Sequence, residues 1–188
     1  MDNKQKISDC ALKLFSKLGY DGVGVQEIID AAGITKPTLY HYFGSKEGLL
    51  KAVLQEHFDR LYNSIEKAAV YNGDIKNTLE KIVFAFFSFA KNNRDCYRMQ
   101  LSMWFSPSES VSNKLVAEHN NKIFKLVEKA FESASKDHGN MKGKHSLYAA
   151  AFIGLINTYI GLFFNGYTEL DDKFKRTVLH QFMHGIFS

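Results

Sequence analysis

Residues 24 to 50, GVQEIIDAAGITKPTLYHYFGSKEGLL, constrain the fold of this chain more than any other segment. Val25, Ile28, Ile29 and Ala32 recur at helical spacing and predict a short amphipathic helix. Gly33 supplies the positive φ that closes a helix at low cost. Ile34 plugs the turn, and the Thr35 hydroxyl is placed to cap the next helix. Pro37 falls in that helix's first turn, where its missing N–H is not needed. Leu39 and Phe43, four apart, give the second helix one buried edge, which leaves Thr38, Tyr40, His41 and Tyr42 for its other faces. Two short helices joined by a tight glycine turn make a helix-turn-helix, and the second has the polar, aromatic exterior of a major-groove reader. The alternative, a short aromatic core helix, explains TLYHYF but not the turn and the lysine that follows. Ser45 then predicts the N-cap of a third helix, with Lys46 in its first turn. A cation there is disfavoured by the helix dipole, whereas a phosphate would be favoured by both the free N–H groups and the lysine.

On these residues, AAGITKPTLYHYFGSKEGLL resembles the DNA-binding signature of the TetR family of bacterial transcriptional repressors, over about Lys6 to Leu54. The resemblance implies an all-α fold: a three-helix DNA-binding head with a helix-turn-helix, a long linking helix, and a larger helical ligand-binding and dimerisation body. The division it implies is 1–46 for the head and 47–188 for the body. It also implies a DNA-contact set of Gln26, Thr35, Lys36, Pro37, Thr38, Tyr40, His41, Tyr42 and Lys46. Lys36, Pro37, Thr38 and Tyr40 match positions that approach bases or their sugars, Tyr42 and Lys46 match phosphate holders, and His41 fits either role. Lys36 is suited to guanine O6 and N7, and Thr38 to a base edge or a thymine methyl. Tyr40 packing into the head and Lys36 remaining solvated stay open as plain structural roles. Two positions depart from the family pattern. Gly24 stands where a Thr or Ser usually caps the second helix, and Gln26 where a basic or polar residue is common. Fewer charged phosphate contacts and a shallower salt dependence are expected.

Bulk charge does not announce the function. The net charge is +4, and six lysines in the first fifty residues are balanced by Asp2, Asp9, Asp21, Glu27, Asp30 and Glu47. Two cysteines, Cys10 and Cys96, are too few and too scattered for a disulfide framework or a zinc site. Cys10 lies beside the apolar edge of the first helix and is expected to be buried. MDNKQKISDC lacks the apolar run of a signal peptide, so a cytoplasmic protein is expected.

The remaining chain reads as helices. Ile7, Ala11, Leu14, Phe15 and Leu18 form one stripe, ended at Gly19, with Tyr20 placed to pack against it. From Lys46 a helical pattern runs to about Tyr71, roughly 37 Å of rod. Asn72-Gly73-Asp74 stops it, and Asp74 is placed to cap a helix over 75–90, which Lys91-Asn92-Asn93 breaks. Further helices are expected over 97–105, 111–135, 146–168 and 171–187, with a polar connection over 136–144. The segment 146–168 carries no charge and is long enough to span a bilayer, but Asn157, Thr158 and Asn165 and the absence of flanking interface patterns favour a helix buried in protein.

By the same resemblance, the last two long helices form the homodimer interface, with Ala150, Gly154, Gly161, Phe174, Val178 and Phe182 as the contact set. The aromatic and Met excess after residue 80 fits a pocket for a hydrophobic or aromatic effector. The expected lining is Phe58, Tyr62, Phe84, Phe87, Met99, Met103, Trp104, Asn157, Tyr159 and Phe163, any one of which is as readily a core residue. His180 and His184 share one helix face without a third ligand at matching spacing, so no metal is expected. No cofactor-binding loop, nucleophile elbow or paired-carboxylate motif supports an enzyme. The expected partners are an operator in double-stranded DNA, a small-molecule effector and a second copy, with no membrane. The rival reading is an effector-independent architectural or protein-interaction factor with the same fold.

Overall fold

The computed structural model describes residues 2–185, and among these the regular structure is helical throughout. Nine α-helices follow one another in this part of the chain: α1 (Asn3–Leu18), α2 (Val25–Ala32), α3 (Lys36–Phe43), α4 (Lys46–Ala68), α5 (Ile75–Asn92), α6 (Arg94–Trp104), α7 (Val111–Ala134), α8 (His145–Phe164) and α9 (Asp172–His184). A short 3-10 turn at Gly139–Met141 interrupts the polar connection before α8.

The chain divides into two compact units. One holds residues up to Asp59 together with Asp95–His119; the other holds Arg60–Arg94 and the residues from Asn120 on. In the first unit, α1 packs on α2 and α2 on α3. Ile7, Ala11, Phe15, Ile28, Ala32, Leu39, Leu49, Leu50 and Leu54 are all fully buried there. Phe58 stacks on His119 with ring centroids 4.3 Å apart, and Tyr97 and Met99 of α6 are fully buried. The buried Tyr97 hydroxyl is pushed well above the ordinary tyrosine range by desolvation.

In the second unit α5 is the central helix, packed by α8 and α9. Ten of its residues are buried, which is why its sequence reads apolar nearly all round. Phe131 of α7, Phe152 of α8 and Phe182 of α9 pack as a ring cluster, with centroids 6.0 Å, 6.0 Å and 4.7 Å apart. Arg94 closes the C-terminus of α8: its Nη2 donates to the Phe164 carbonyl at 2.6 Å, where the dipole favours a cation.

Most element boundaries follow the sequence pattern, and the departures have local causes. The α4 helix stops at Ala68, before Tyr71, whose hydroxyl instead donates to Asp137. Helix α5 runs on through Lys91 and Asn92 and ends at Asn93, whose side chain donates to the Phe89 carbonyl. Asp74 caps α5 by accepting from the Asn77 N–H at 2.9 Å. Cys10 is half-buried, not buried, because its Sγ points to the Ala31 carbonyl at the edge of the α1–α2 contact. The expected continuation of α9 through Ile186 and Phe187 lies outside the described residues. Helix α8 is long and apolar enough to cross a membrane. Ala149, Phe152, Ile156, Ile160 and Phe164 form its buried edge within the unit.

Candidate nucleic-acid interface

The head presents α3 through a turn built at Gly33. This residue holds φ 58° and ψ 44°, the left-handed conformation expected there, and the Ile34 N–H reaches back to the Ile29 carbonyl at 3.2 Å. The α3 backbone begins at Thr35, but its hydroxyl does not cap the helix as expected. It pairs with the Thr38 hydroxyl at 2.8 Å, so the two threonines are tied together at the tip of the helix. Leu39 and Phe43 face inward. Lys36, Pro37, Tyr40 and His41 are exposed, while Thr38 and Tyr42 are half-buried. Tyr40 is therefore on the outward face, with Lys36 Nζ 6.0 Å from its ring centroid, and His41 meets the Tyr42 ring edge-on at 5.3 Å. The structure thus brings seven of the nine expected DNA contacts onto α3 and its cap.

The other two flank that face. Gln26 is exposed on α2 and donates to Asp30 at 2.8 Å, so its amide is held by a neighbour one turn away. Lys46 opens α4, where Ser45 accepts from the Gly48 N–H at 3.0 Å as the expected cap. Its Nζ lies 4.2 Å from the centroid of the Tyr20 ring. Partial burial depresses the Lys46 ammonium below the ordinary lysine range, against the pull of Asp21 and Glu27. Burial likewise raises the Tyr20 phenol, with Glu47 and Asp21 adding to the shift.

Three features of this face were not read from the sequence. Gly24 lacks the family's capping hydroxyl, but the Glu27 carboxylate reaches back to its N–H at 2.6 Å, leaving half of a capping box in place. Tyr20 was assigned to packing against α1, and it does meet Phe15 with centroids 5.3 Å apart, but it also carries Lys46. Gly48 has no room for a side chain: a Cβ there would lie 2.0 Å from the Phe43 carbonyl oxygen. The G-S-K-E-G run was the available signal for the last of these.

The expected effector lining is divided between the two units. Phe58, Met99, Met103 and Trp104 belong to the first unit, where the first three are buried and Trp104 is exposed. Tyr62, Phe84, Phe87, Asn157, Tyr159 and Phe163 belong to the second. Phe87 and Tyr159 both meet Phe174, with centroids 6.5 Å and 5.0 Å apart. Phe84 points outward and lines a surface groove.

The expected dimer set separates by burial. Ala150 and Gly154 are exposed on the outer face of α8, and Gly161 is half-buried with nothing within 4 Å of a Cβ built on it. On α9 the three expected residues differ in burial. Val178 is fully buried, Phe182 packs on Phe131 and Phe152, and Phe174 packs on Phe87 and Tyr159. Val178 lies wholly inside its own unit, while Phe174 and Phe182 are half-buried and keep part of their surface outward.

A three-helix head that holds a polar and aromatic helix outward across a glycine turn is a helix-turn-helix of the kind that enters a DNA groove. Residues 7–53 match the family model of the bacterial regulatory proteins of the tetR family. It is 39% identical over 89 residues to the HTH-type transcriptional activator FasR of Mycolicibacterium smegmatis, a match that covers 47% of this chain and 41% of that one. The chain spans between 35% and 41% of the length of three such curated relatives. Among solved structures, the fold matches FadR of Bacillus subtilis in complex with stearoyl-CoA, with TM-score 0.79 and 20% identity over 97% of this chain and 98% of that one. It also matches the regulator PfmR of Thermus thermophilus, with TM-score 0.76 and 22% identity over 97% and 99%.

Proposed function

We propose that this protein is a homodimeric transcriptional regulator that represses by binding a near-palindromic operator and is released by a small hydrophobic or aromatic effector. The observation that carries the reading is the outward face of α3, where Lys36, Pro37, Tyr40 and His41 are exposed beside the paired Thr35 and Thr38 hydroxyls. Residues 1–46 supply the reading head and 47–188 the effector and dimer functions. In this reading Lys36 and Thr38 address base edges, while Tyr42, Lys46 and Gln26 hold phosphates and set register.

The pairing of two copies rests on the outer face of α8. A charge-free helix with Ala150, Gly154 and Thr158 outward admits a close helix from a second copy, and two symmetric heads require two half-sites. A lipid-facing role for the same face is the competing reading; a detergent-free dimer in solution excludes it.

The effector site is placed beside the Phe87, Phe174 and Tyr159 rings, with Asn157 and Phe163 on the same helix as Tyr159. The Bacillus subtilis neighbour holds stearoyl-CoA, which supports an apolar ligand class. Effector binding shifts the population toward a form with low operator affinity, and α4, which runs unbroken from the first unit into the second, is the connecting element.

The test is fluorescence anisotropy of the purified protein with the DNA upstream of its own gene, against a scrambled duplex at physiological salt. Sequence-selective binding lost on adding an apolar effector supports the reading. Equal, weak binding to both duplexes overturns it, and selective binding that no effector releases favours the architectural factor.

A further inference from the structure

The groove that Phe84 lines has the chemistry of a site for an organic phosphate. It has a volume of about 730 Å³ and lies wholly within the second unit, between the C-terminal half of α4, the stretch of α5 from Asn77 to Ala85 and one residue of α9. Small-molecule sites commonly occupy about 300–1,000 Å³, so the space suits a compact ligand.

Its walls carry four cations, Arg60, Lys67, Lys81 and Lys175, against the single carboxylate of Glu80. Lys175 is the compensated member: its Nζ lies 3.0 Å from Asp172 and 3.9 Å from Glu80, and its side chain is largely covered. Lys67 and Lys81 make no ion pair among the described residues, and both are exposed. Several cations lining one groove raise the local positive potential, which a polyanion compensates better than a single small anion does.

The aromatic member is equally unexplained by packing. Phe84 is 56% exposed on the helix whose other phenylalanines are buried, and the Lys175 ammonium lies 5.1 Å from its ring centroid. An exposed ring held beside a row of lysines offers a stacking surface and phosphate donors in one groove.

We infer that this groove binds a small organic phosphate, with a flat ring stacked on Phe84 and its phosphates on Lys67 and Lys81. Ligand binding there requires neither DNA nor the apolar effector.

Isothermal titration of the full-length protein with ADP, and separately with inorganic pyrophosphate, tests it. ADP is expected to saturate and to bind more tightly than pyrophosphate. Phe84→Ala should weaken ADP about tenfold and leave pyrophosphate unchanged. The pair Lys67→Ala and Lys81→Ala should weaken both ligands about tenfold or more. Far-UV circular dichroism checks the fold, and the pair Lys67→Gln and Lys81→Gln covers the case in which the alanine pair is unstable. Absence of saturable ADP binding, ADP binding no tighter than pyrophosphate, or affinities unmoved by these substitutions would overturn the proposal.

Discussion

The Lys46 ammonium sits over the Tyr20 ring, 4.2 Å from its centroid, and so joins the start of α4 to the start of the α1–α2 connection. A lysine at a helix N-terminus opposes the helix dipole; here an aromatic face offsets part of that cost and fixes where the charge points.

If Lys46 holds a phosphate from that platform, Lys46→Ala should weaken operator binding at all sequences and reduce the salt slope by about 1. Tyr20→Phe should bind as the parent does, and Tyr20→Ala should lose about 0.5–1 kcal/mol. The double variant Tyr20→Ala, Lys46→Ala should fall short of the sum of the singles. Anisotropy over a salt series checks this, and full additivity would show that the two residues act separately.

Gly48 reverses a general rule. Gly→Ala in a helix interior ordinarily stabilises by about 1 kcal/mol. A Cβ at Gly48 would stand 2.0 Å from the Phe43 carbonyl oxygen, so Gly48→Ala should destabilise by about 1–3 kcal/mol. Urea unfolding checks the sign, and a stabilised variant would refute the close approach.

Gly24 is open by contrast, with the nearest atom to a Cβ being Glu27 Oε2 at 3.5 Å. Gly24→Ser should add the missing capping hydroxyl and raise stability by about 0.3 kcal/mol. It should also tighten operator binding slightly, and unchanged thermal and operator midpoints would count against both effects.

Glu128 on α7 accepts from Lys125 and from the Ser146 hydroxyl at the start of α8. The Lys125 hydrogen bond, then that of Ser146, holds its carboxyl below the ordinary glutamate range. A carboxyl with a depressed folded-state pKa contributes stability that is present above its unfolded value and is lost as pH falls through the folded one. Glu128→Gln should therefore lower stability in urea unfolding at neutral pH by less than about 1 kcal/mol, because its partner Lys125 is exposed and the pair is screened. Variant and parent should converge in acid below the ordinary glutamate range; a gap that persists there would refute the linkage.

Gly154 faces outward on α8 with nothing within 4 Å of a Cβ. Gly154→Arg should keep the helical signal and dissociate the dimer, read by light scattering. A dimer unaffected by the arginine would place the interface elsewhere.

The helix-turn-helix was legible in the sequence because local rules determine it. The period of Val25, Ile28, Ile29 and Ala32, the glycine at 33 and the proline at 37 act within a few residues of themselves, and they placed α2, the turn and α3 within a residue or two. The outward faces of Lys36, Tyr40 and His41 followed from the inward period of Leu39 and Phe43. Tertiary structure alone decided the rest. An apolar stripe states that a surface is covered and does not name its cover, so only the structure separates Val178, covered within its own unit, from Phe174 and Phe182, which stay half-buried. The Lys46–Tyr20 contact, the Phe43 carbonyl over Gly48, and the groove that joins Lys67, Lys81 and Lys175 around Phe84 all depend on elements meeting in space. Spacing along the chain carries no information about those meetings, because packing brings together side chains that no local period relates.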